Sequence, residues 1–471
     1  MSKSQGRAQT PGKGHGHGHG HARKNGHPRG PLPQPVFGEP TFSEDGVTPD
    51  PTGFDVQHAS DDDLYKELGD SISHDTVSFP PSRLQPNELY TLETAFGPRG
   101  PQIRQVIEKQ GQIVFHAVGD TGAVTERKYR SEIRASDQIS DDAHSTSEAD
   151  RPVFFYHLGD VVYNFGEARY YYDQFYDPYR NYPGPIFAIP GNHDSFIVPD
   201  TAEADYPLVT FARNFCSEHA VITPEAGSLH RSAMTQPGVY FTLDAPFVRI
   251  IGLFSNALED PGLLSSENGK WPGVPNIQID FLRAQLQRVL DENYKGAVLI
   301  ATHHPPFSYE PRPDSLFSGG NHSSSSAMLR EVDAVCKQVG FYPHAYLSAH
   351  AHNYQRYTRT IELGSKELEV PFVICGSGGH NINRLIRPRQ GQTAQQPPYG
   401  ADVSYMEKKP AITARSLTLD KYDDRNYGYL RVTVDKETLQ IAFHQVESTS
   451  LAQSRFDLVT VELAGHRLAP N

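Results

Sequence analysis

Between residues 112 and 352 the chain returns five times to one local pattern: a short apolar run that stops at acidic, amide or imidazole side chains. The runs are "QIVFHAVGD" at 112–120, "VFFYHLGD" at 153–160, "IFAIPGNHD" at 186–194, "AVLIATHHPP" at 297–306 and "HAYLSAHAH" at 344–352. An uninterrupted apolar run of this length suits a strand covered on both faces, with its chemistry at the C-terminal end. Helical patterns lie between several runs. "NIQIDFLRAQLQRVLDENY" at 276–294 brings Ile279, Leu282, Leu286 and Leu290 near one face, and "SSAMLREVDAVCKQVG" at 325–340 ends in a glycine stop. Strands alternating with helices predict an α/β architecture. "VYFTLDAPFVRIIGLF" at 239–254 reads as a hairpin, and "YGYLRVTVDKETLQIAFHQV" with "FDLVTVEL" suggests a second sheet.

The polar residues at those strand ends are Asp120, Asp160, Tyr163, Asn192, His193, Asp194, His303, His304, His350 and His352. Open α/β sheets bind ligands beyond the carboxyl ends of their strands, so these groups are expected along one rim. Carboxylates, an amide and imidazoles without a basic partner suit metal ions better than a salt-bridge network. His350 and His352 flank one alanine, and on a strand residues two apart share a face. By itself such a pair also occurs on solvated strands and loops. A carboxylate can give one oxygen to each of two ions, and paired ions ~3.5–4 Å apart suit displacement at phosphorus.

Five blocks in order, "GDTG" at 119–122, "GDVVY" at 159–163, "GNHD" at 191–194, "ATHHPPFS" at 301–308 and "AHAH" at 349–352, resemble those of the purple acid phosphatases, which belong to the calcineurin-like metallophosphoesterases. The resemblance implies a four-layer α/β/β/α sandwich over residues 111–465, with a dinuclear metal site at the strand C-terminal ends. It assigns Asp120, Asp160, Tyr163 and His352 to a first metal, and Asp160, Asn192, His303 and His350 to a second, with Asp160 bridging. Many relatives carry Asp-x-His in the first block, where this chain has Gly122, and a tyrosinate at Tyr163 fills the gap. A hard, anionic phenolate favours a trivalent ion, so the resemblance implies Fe(III) there and Fe(II), zinc or manganese at the second position.

The same resemblance places two histidines near the substrate as catalytic groups: His193, and His322 in "SGGNHSSSS" at 318–326. Asp194 is expected to orient a turn or His193, His304 to point away from the metals, and "CGSGGH" at 375–380 to form a tight turn near the site. The last block departs from the family's usual glycine at Ala349, which is tolerable unless that position needs positive φ. The implied reaction is hydrolysis of a small phosphorylated substrate, of the acid phosphatase type, by a metal-bound hydroxide. A phosphodiesterase or nucleotide hydrolase would use the same metals, and a non-catalytic metal-binding protein is the reading from another class.

Charge narrows the partners. The formal net charge is −13, although residues 1–36 hold six basic residues (Lys3, Arg7, Lys13, Arg23, Lys24, Arg29) and no acidic one. So acidic a body offers no grip for a nucleic-acid backbone, and metals rather than lysines would draw in a phosphate. Cys216, Cys336 and Cys375 match no disulfide framework or zinc spacing. Neither a signal-peptide pattern nor a run approaching ~18 apolar residues is visible, which sets a cytoplasmic location without membrane insertion as the default expectation. Residues 1–52, with "HGHGHGH" at 15–21, read as a disordered tail with weak metal binding as the minority reading. Residues 53–110 read as an irregular flank on the core, including a helix at "SDDDLYKELGDSI".

Overall fold

The computed structural model describes residues 81–144, 147–195, 208–255, 262–320, 325–387, 393, 395–446 and 454–470. All lie within one unit of the chain, residues 35–471. The histidine-rich tail, the helix expected after Ser60 and the loop histidine His322 lie outside the described residues.

Two mixed sheets carry the fold. A seven-stranded sheet runs β18 (Arg467–Leu468), β17 (Arg455–Glu462), β16 (Thr438–Gln445), β15 (Gly428–Asp435), β2 (Gln112–Val118), β3 (Phe154–His157), β4 (Ile186–Ala188). A nine-stranded sheet runs β1 (Tyr90–Thr91), β5 (Phe241–Ala245), β6 (Val248–Gly252), β7 (Ala297–Ala301), β9 (Ala345–Ser348), β11 (Lys366–Cys375), β10 (Tyr354–Leu363), β14 (Thr413–Asp423), β13 (Ala401–Asp402). Strands β8 (Ser318–Gly319) and β12 (Ile386–Arg387) pair separately.

The centre of each sheet is parallel: β2, β3 and β4 in one, β6, β7, β9 and β11 in the other. Parallel neighbours need crossover connections, and helices supply them. After β1, helices α1 (Leu92–Phe96) and α2 (Gly100–Gln110) lead into β2. Helix α3 (Glu126–Ala143) joins β2 to β3, and α4 (Val209–Phe215) follows β4. Helices α5 (Ile277–Asp291) and α6 (Ser326–Val339) join β6 to β7 and β7 to β9. Ser325 caps α6 by accepting the Met328 N–H at 3.2 Å, and Gly340 ends it at φ 83°. The result is an α/β sandwich with one continuous apolar core.

Two sequence expectations change. The later β segments do not stand apart from the pattern-bearing strands, because β15 pairs antiparallel with β2 and extends its sheet. The five strands therefore divide, β2, β3 and β4 in one sheet and β7 and β9 in the other. The buried face of α5 runs through Phe281, Leu282, Leu286 and Val289, whereas Leu290 is 41% exposed. A stripe of period 3.6 meets Val289 seven residues after Leu282, and Leu290 has already turned outward. Among the described residues, no helix is long and apolar enough to cross a membrane.

A pH-sensitive pair lies at the start of β9. The Val298 N–H donates to His344 Nδ1 at 3.0 Å, and the His344 ring stacks on His466 with centroids 4.6 Å apart. Burial lowers the His344 pKa to about 4 and holds His466 well below its ordinary value. Both folded values lie below the unfolded one near 6.5, so the fold loses stability as pH falls from 6.5 toward 4. At ~1.36 kcal/mol per unit, His344 alone accounts for roughly 2 kcal/mol between pH 6.5 and 5. Urea unfolding at the two pH values is expected to show His344→Gln reducing the wild-type pH dependence by about that amount.

Candidate metal centre

The site starts where β2 and β3 stop. Asp120 and Asp160 both adopt left-handed backbone, φ 55° and 56°, a conformation that aspartate tolerates and that turns each chain sharply at its strand end. The Asp120 N–H donates to the Gly159 carbonyl at 3.0 Å and ties the two turns together. Both side chains are buried, at 0% and 1% exposure.

Two groups of donors share Asp160. In the first, Asp120, Asp160 and His352 bring one ligand atom each within 4.8 Å of one another. The Tyr163 hydroxyl joins it, 2.9 Å from Asp160 Oδ2, 3.2 Å from Asp120 Oδ1 and 3.4 Å from His352 Nε2. In the second, Asp160, His303 and His350 meet the same criterion. There Asn192 Oδ1 lies 3.0 Å from His303 Nε2 and 3.1 Å from His350 Nδ1. His303 Nδ1 donates to the Leu158 carbonyl at 2.9 Å, which aims Nε2 at the group.

Buried carboxylates are costly without a charge to meet them. Against its burial, Asp160 is held well below the carboxylate range by the imidazoles of His303 and His193. Against its own burial, the Asp160 carboxylate raises His303 to about 9. Burial lowers His352 to about 3 and His193 to about 4. Carboxylate and phenol oxygens, an amide oxygen and imidazole nitrogens in two overlapping groups are a donor set that fits two hard or borderline cations.

The supports are specific. The Asp194 carboxylate accepts the N–H groups of Val161 at 3.0 Å, Val162 at 3.1 Å and Gly191 at 2.8 Å, joining the turns that present Asp160 and Asn192. A side chain at Gly191 would place Cβ 2.1 Å from Asp160 Oδ1. At Gly122 a Cβ would lie 2.6 Å from both Gln174 Oε1 and the Val161 carbonyl oxygen and 2.9 Å from Tyr163 Cδ2, so the Val161 backbone, Gln174 and the tyrosine ring together close that position to a side chain. Ala349 is buried, and positive φ falls on the next residue, His350 at 65°, so the alanine meets no backbone conflict.

That φ value also corrects the reading of "AHAH". β9 ends at Ser348, and the chain turns at His350. The two imidazoles are thus not side by side on a strand face, and each enters a different donor group. His304 lies against the His350 ring, centroids 4.4 Å apart, with Nδ1 3.1 Å from Ser255 Oγ. His193 donates its N–H to Asp160 Oδ1 at 2.9 Å, its Nδ1 lies 3.0 Å from the Asn164 carbonyl, and its ring sits 4.0 Å from that of Tyr163.

Three supporting residues had no role assigned from the sequence, although His380 lies in the "CGSGGH" turn expected near the site. Gln174 brackets the Tyr163 backbone, accepting its N–H at 2.9 Å and donating to its carbonyl at 3.0 Å. His380 stacks on Tyr163, centroids 3.6 Å apart, and Lys128 Nζ lies 2.8 Å from His380 Nε2. His380 was findable, because "VPFVICGSGGH" ends β11 with the same apolar-run-then-histidine pattern. Gln174 and Lys128 lie in helical segments, α3 in the case of Lys128, with no comparable signal.

Two mixed sheets that converge on overlapping carboxylate–imidazole groups define a metallophosphoesterase architecture. Residues 113–354, just over half of the chain, match the calcineurin-like phosphoesterase family, and the chain belongs to it. Membership brings metal-dependent hydrolysis of phosphoesters as the class of chemistry. Among solved structures the chain is similar to GAP50, the anchor in the inner membrane complex of Plasmodium, at 11% identity and TM-score 0.43, covering 75% of this chain and 88% of that one. It is also similar to PhoD, at 12% identity and TM-score 0.41, covering 77% and 72% respectively. Comparison with curated proteins gives no match.

Proposed function

We propose that this protein is a phosphomonoesterase of the purple acid phosphatase type. In this reading Asp120, Asp160, Tyr163 and His352 hold Fe(III), and Asp160, Asn192, His303 and His350 hold Fe(II), zinc or manganese. The observation that carries it is the Tyr163 hydroxyl within 3.4 Å of a ligand atom from each of Asp120, Asp160 and His352, in space that Gly122 leaves open.

When bound, two such ions would supply Lewis-acid polarisation of the phosphoryl group and a nucleophile at neutral pH. The chain's own residues do the rest. Asp160 is the common member of both groups. Asn192 and His303, the latter oriented through the Leu158 carbonyl, complete the second group. His193 Nδ1 donates to the Asn164 carbonyl and its ring packs on Tyr163, so Nε2 is the atom that would meet the substrate; with the ring protonated, Nε2 would hydrogen-bond a phosphate oxygen or give its proton to the leaving alkoxide. His322 is the further phosphate contact in this reading.

The test uses the full chain: metal content, visible spectrum, and hydrolysis of aryl mono- and diesters. Two metals per chain, a purple tyrosinate band and faster monoester cleavage are expected. A colourless zinc or manganese enzyme that prefers diesters overturns the acid phosphatase reading, and a folded protein that binds no metal overturns metal-dependent hydrolysis as well. His193→Ala is expected to lower turnover by about 10²–10⁴-fold at unchanged metal content. Unchanged turnover would favour a non-catalytic metal-binding protein.

A further inference from the structure

Tyr163 lies in a turn beyond β3, and its ring is gripped on both sides. His380 stacks on it with centroids 3.6 Å apart at 15°, and His193 sits 4.0 Å away at 36°. The two imidazoles are 6.5 Å from each other, with the phenol between them. His380 is itself fixed at three points. Its backbone N–H donates to the Asp120 carbonyl at 3.0 Å, and its Nδ1 lies 2.5 Å from the Gly122 carbonyl. A carbonyl only accepts, so Nδ1 carries the proton and Nε2 presents a lone pair. That lone pair faces Lys128 Nζ at 2.8 Å.

Lys128 sits in the first turn of α3, where Thr125 Oγ1 accepts its backbone N–H at 3.3 Å. A run of contacts therefore leads from a half-buried lysine, through His380, to the face of the tyrosine ring. Neither His380 nor Lys128 belongs to either donor group.

We propose that Lys128 and His380 are a positioning pair for Tyr163: the imidazole clamps the phenol ring, and the ammonium draws charge from that imidazole through Nε2. An aromatic face is electron-rich, so a ring depleted of charge stacks on it more favourably. The clamp keeps the phenol oxygen aimed between Asp120 and Asp160. Groups that orient a metal ligand from behind change metal affinity by about 10–100-fold when removed. The proposal rests on the reading that Tyr163 holds a metal, and it adds residues that the ligand set does not contain.

The experiment follows metal retention, not turnover. Full-length wild type, Lys128→Met, Lys128→Gln and Lys128→Arg are loaded with Fe(III) and Zn(II), and metal loss to excess chelator is timed alongside the visible band. Met and Gln variants are expected to lose metal about tenfold faster, and their band to move to longer wavelength as the tyrosinate becomes richer in charge. Lys128→Arg, which keeps a cationic donor, is expected to stay within about twofold of wild type. Met and Gln variants that retain metal like the wild type, with an unmoved band, overturn the pairing and leave the metal centre standing. A wild type that takes up no metal overturns the reading of Tyr163 itself, and the pairing falls with it.

Discussion

Asp160→Asn is expected to lower phosphoesterase turnover by about 10³-fold or more and to release metal from both donor groups. Asp160 is the member common to both. Its oxygens also receive the Tyr163 hydroxyl at 2.9 Å and the His193 N–H at 2.9 Å. Asparagine keeps the shape, but removes the negative charge and turns one acceptor into an N–H donor that faces other donors. Metal ions contribute several kcal/mol to such reactions, and each ~1.36 kcal/mol is a decade in rate. Metal analysis, kcat at saturating substrate and a thermal melt separate loss of the centre from loss of the fold. Gly191→Ala should reach the same result without altering any ligand, because its Cβ would lie 2.1 Å from Asp160 Oδ1. Full metal content and turnover in Asp160→Asn would remove Asp160 from the centre.

The largest effect on stability is expected at a buried ion pair that belongs to neither donor group. Arg359 on β10 is fully buried, with NH1 and NH2 2.8 Å and 2.7 Å from the two carboxylate oxygens of Asp333 on α6. Its Nε donates to Glu407 Oε1 at 2.5 Å, and Tyr342 OH lies 3.1 Å from NH1. The pair ties a crossover helix to a strand of the nine-stranded sheet. A bidentate buried pair contributes little net stability when compared with apolar residues of the same volume. Removing the arginine leaves the carboxylates of Asp333 and Glu407 buried without a counter-charge, which costs about 3–5 kcal/mol. Arg359→Met is therefore expected to lose about 3 kcal/mol in urea unfolding at pH 7, and the triple change Asp333→Leu, Arg359→Met and Glu407→Leu to recover most of it. A loss below about 1 kcal/mol would show the two carboxylates finding other partners.

Much of the centre was legible because the sequence reports strand ends. Asp120, Asp160, Asn192, His303, His350 and His352 each follow an apolar run, and the structure brings all six together with Tyr163. The hairpin over 239–254 and the crossover helices of 276–294 and 325–340 were legible for the same reason, since periodicity and caps are local. Other features were not. Leu290 fell outside the buried stripe because a one-residue error in phase, about 100° around the helix, is invisible until a partner surface exists. His350 left its strand because a positive φ depends on the packing of the turn, not on the residue's own preference. Gln174 and Lys128 join the site through contacts that no spacing encodes.

Local pattern alone put acidic, amide and imidazole side chains at the ends of buried strands, and the resemblance of the five blocks added Asp160 as the expected shared ligand and Tyr163 as the group expected to fill the gap at Gly122. Period and apolar run length are properties of a few neighbouring residues, and they survive in one dimension. Three-dimensional packing settled how the five strands divide between the two sheets, and it set the ligand atoms of Asp160 within 4.8 Å of those of Asp120 and His352 on one side and of His303 and His350 on the other. It also set the Tyr163 ring between the imidazoles of His193 and His380. Those facts rest on strand pairing and packing between segments far apart in the chain, where the free energy of burial selects one arrangement from many that the local pattern allows.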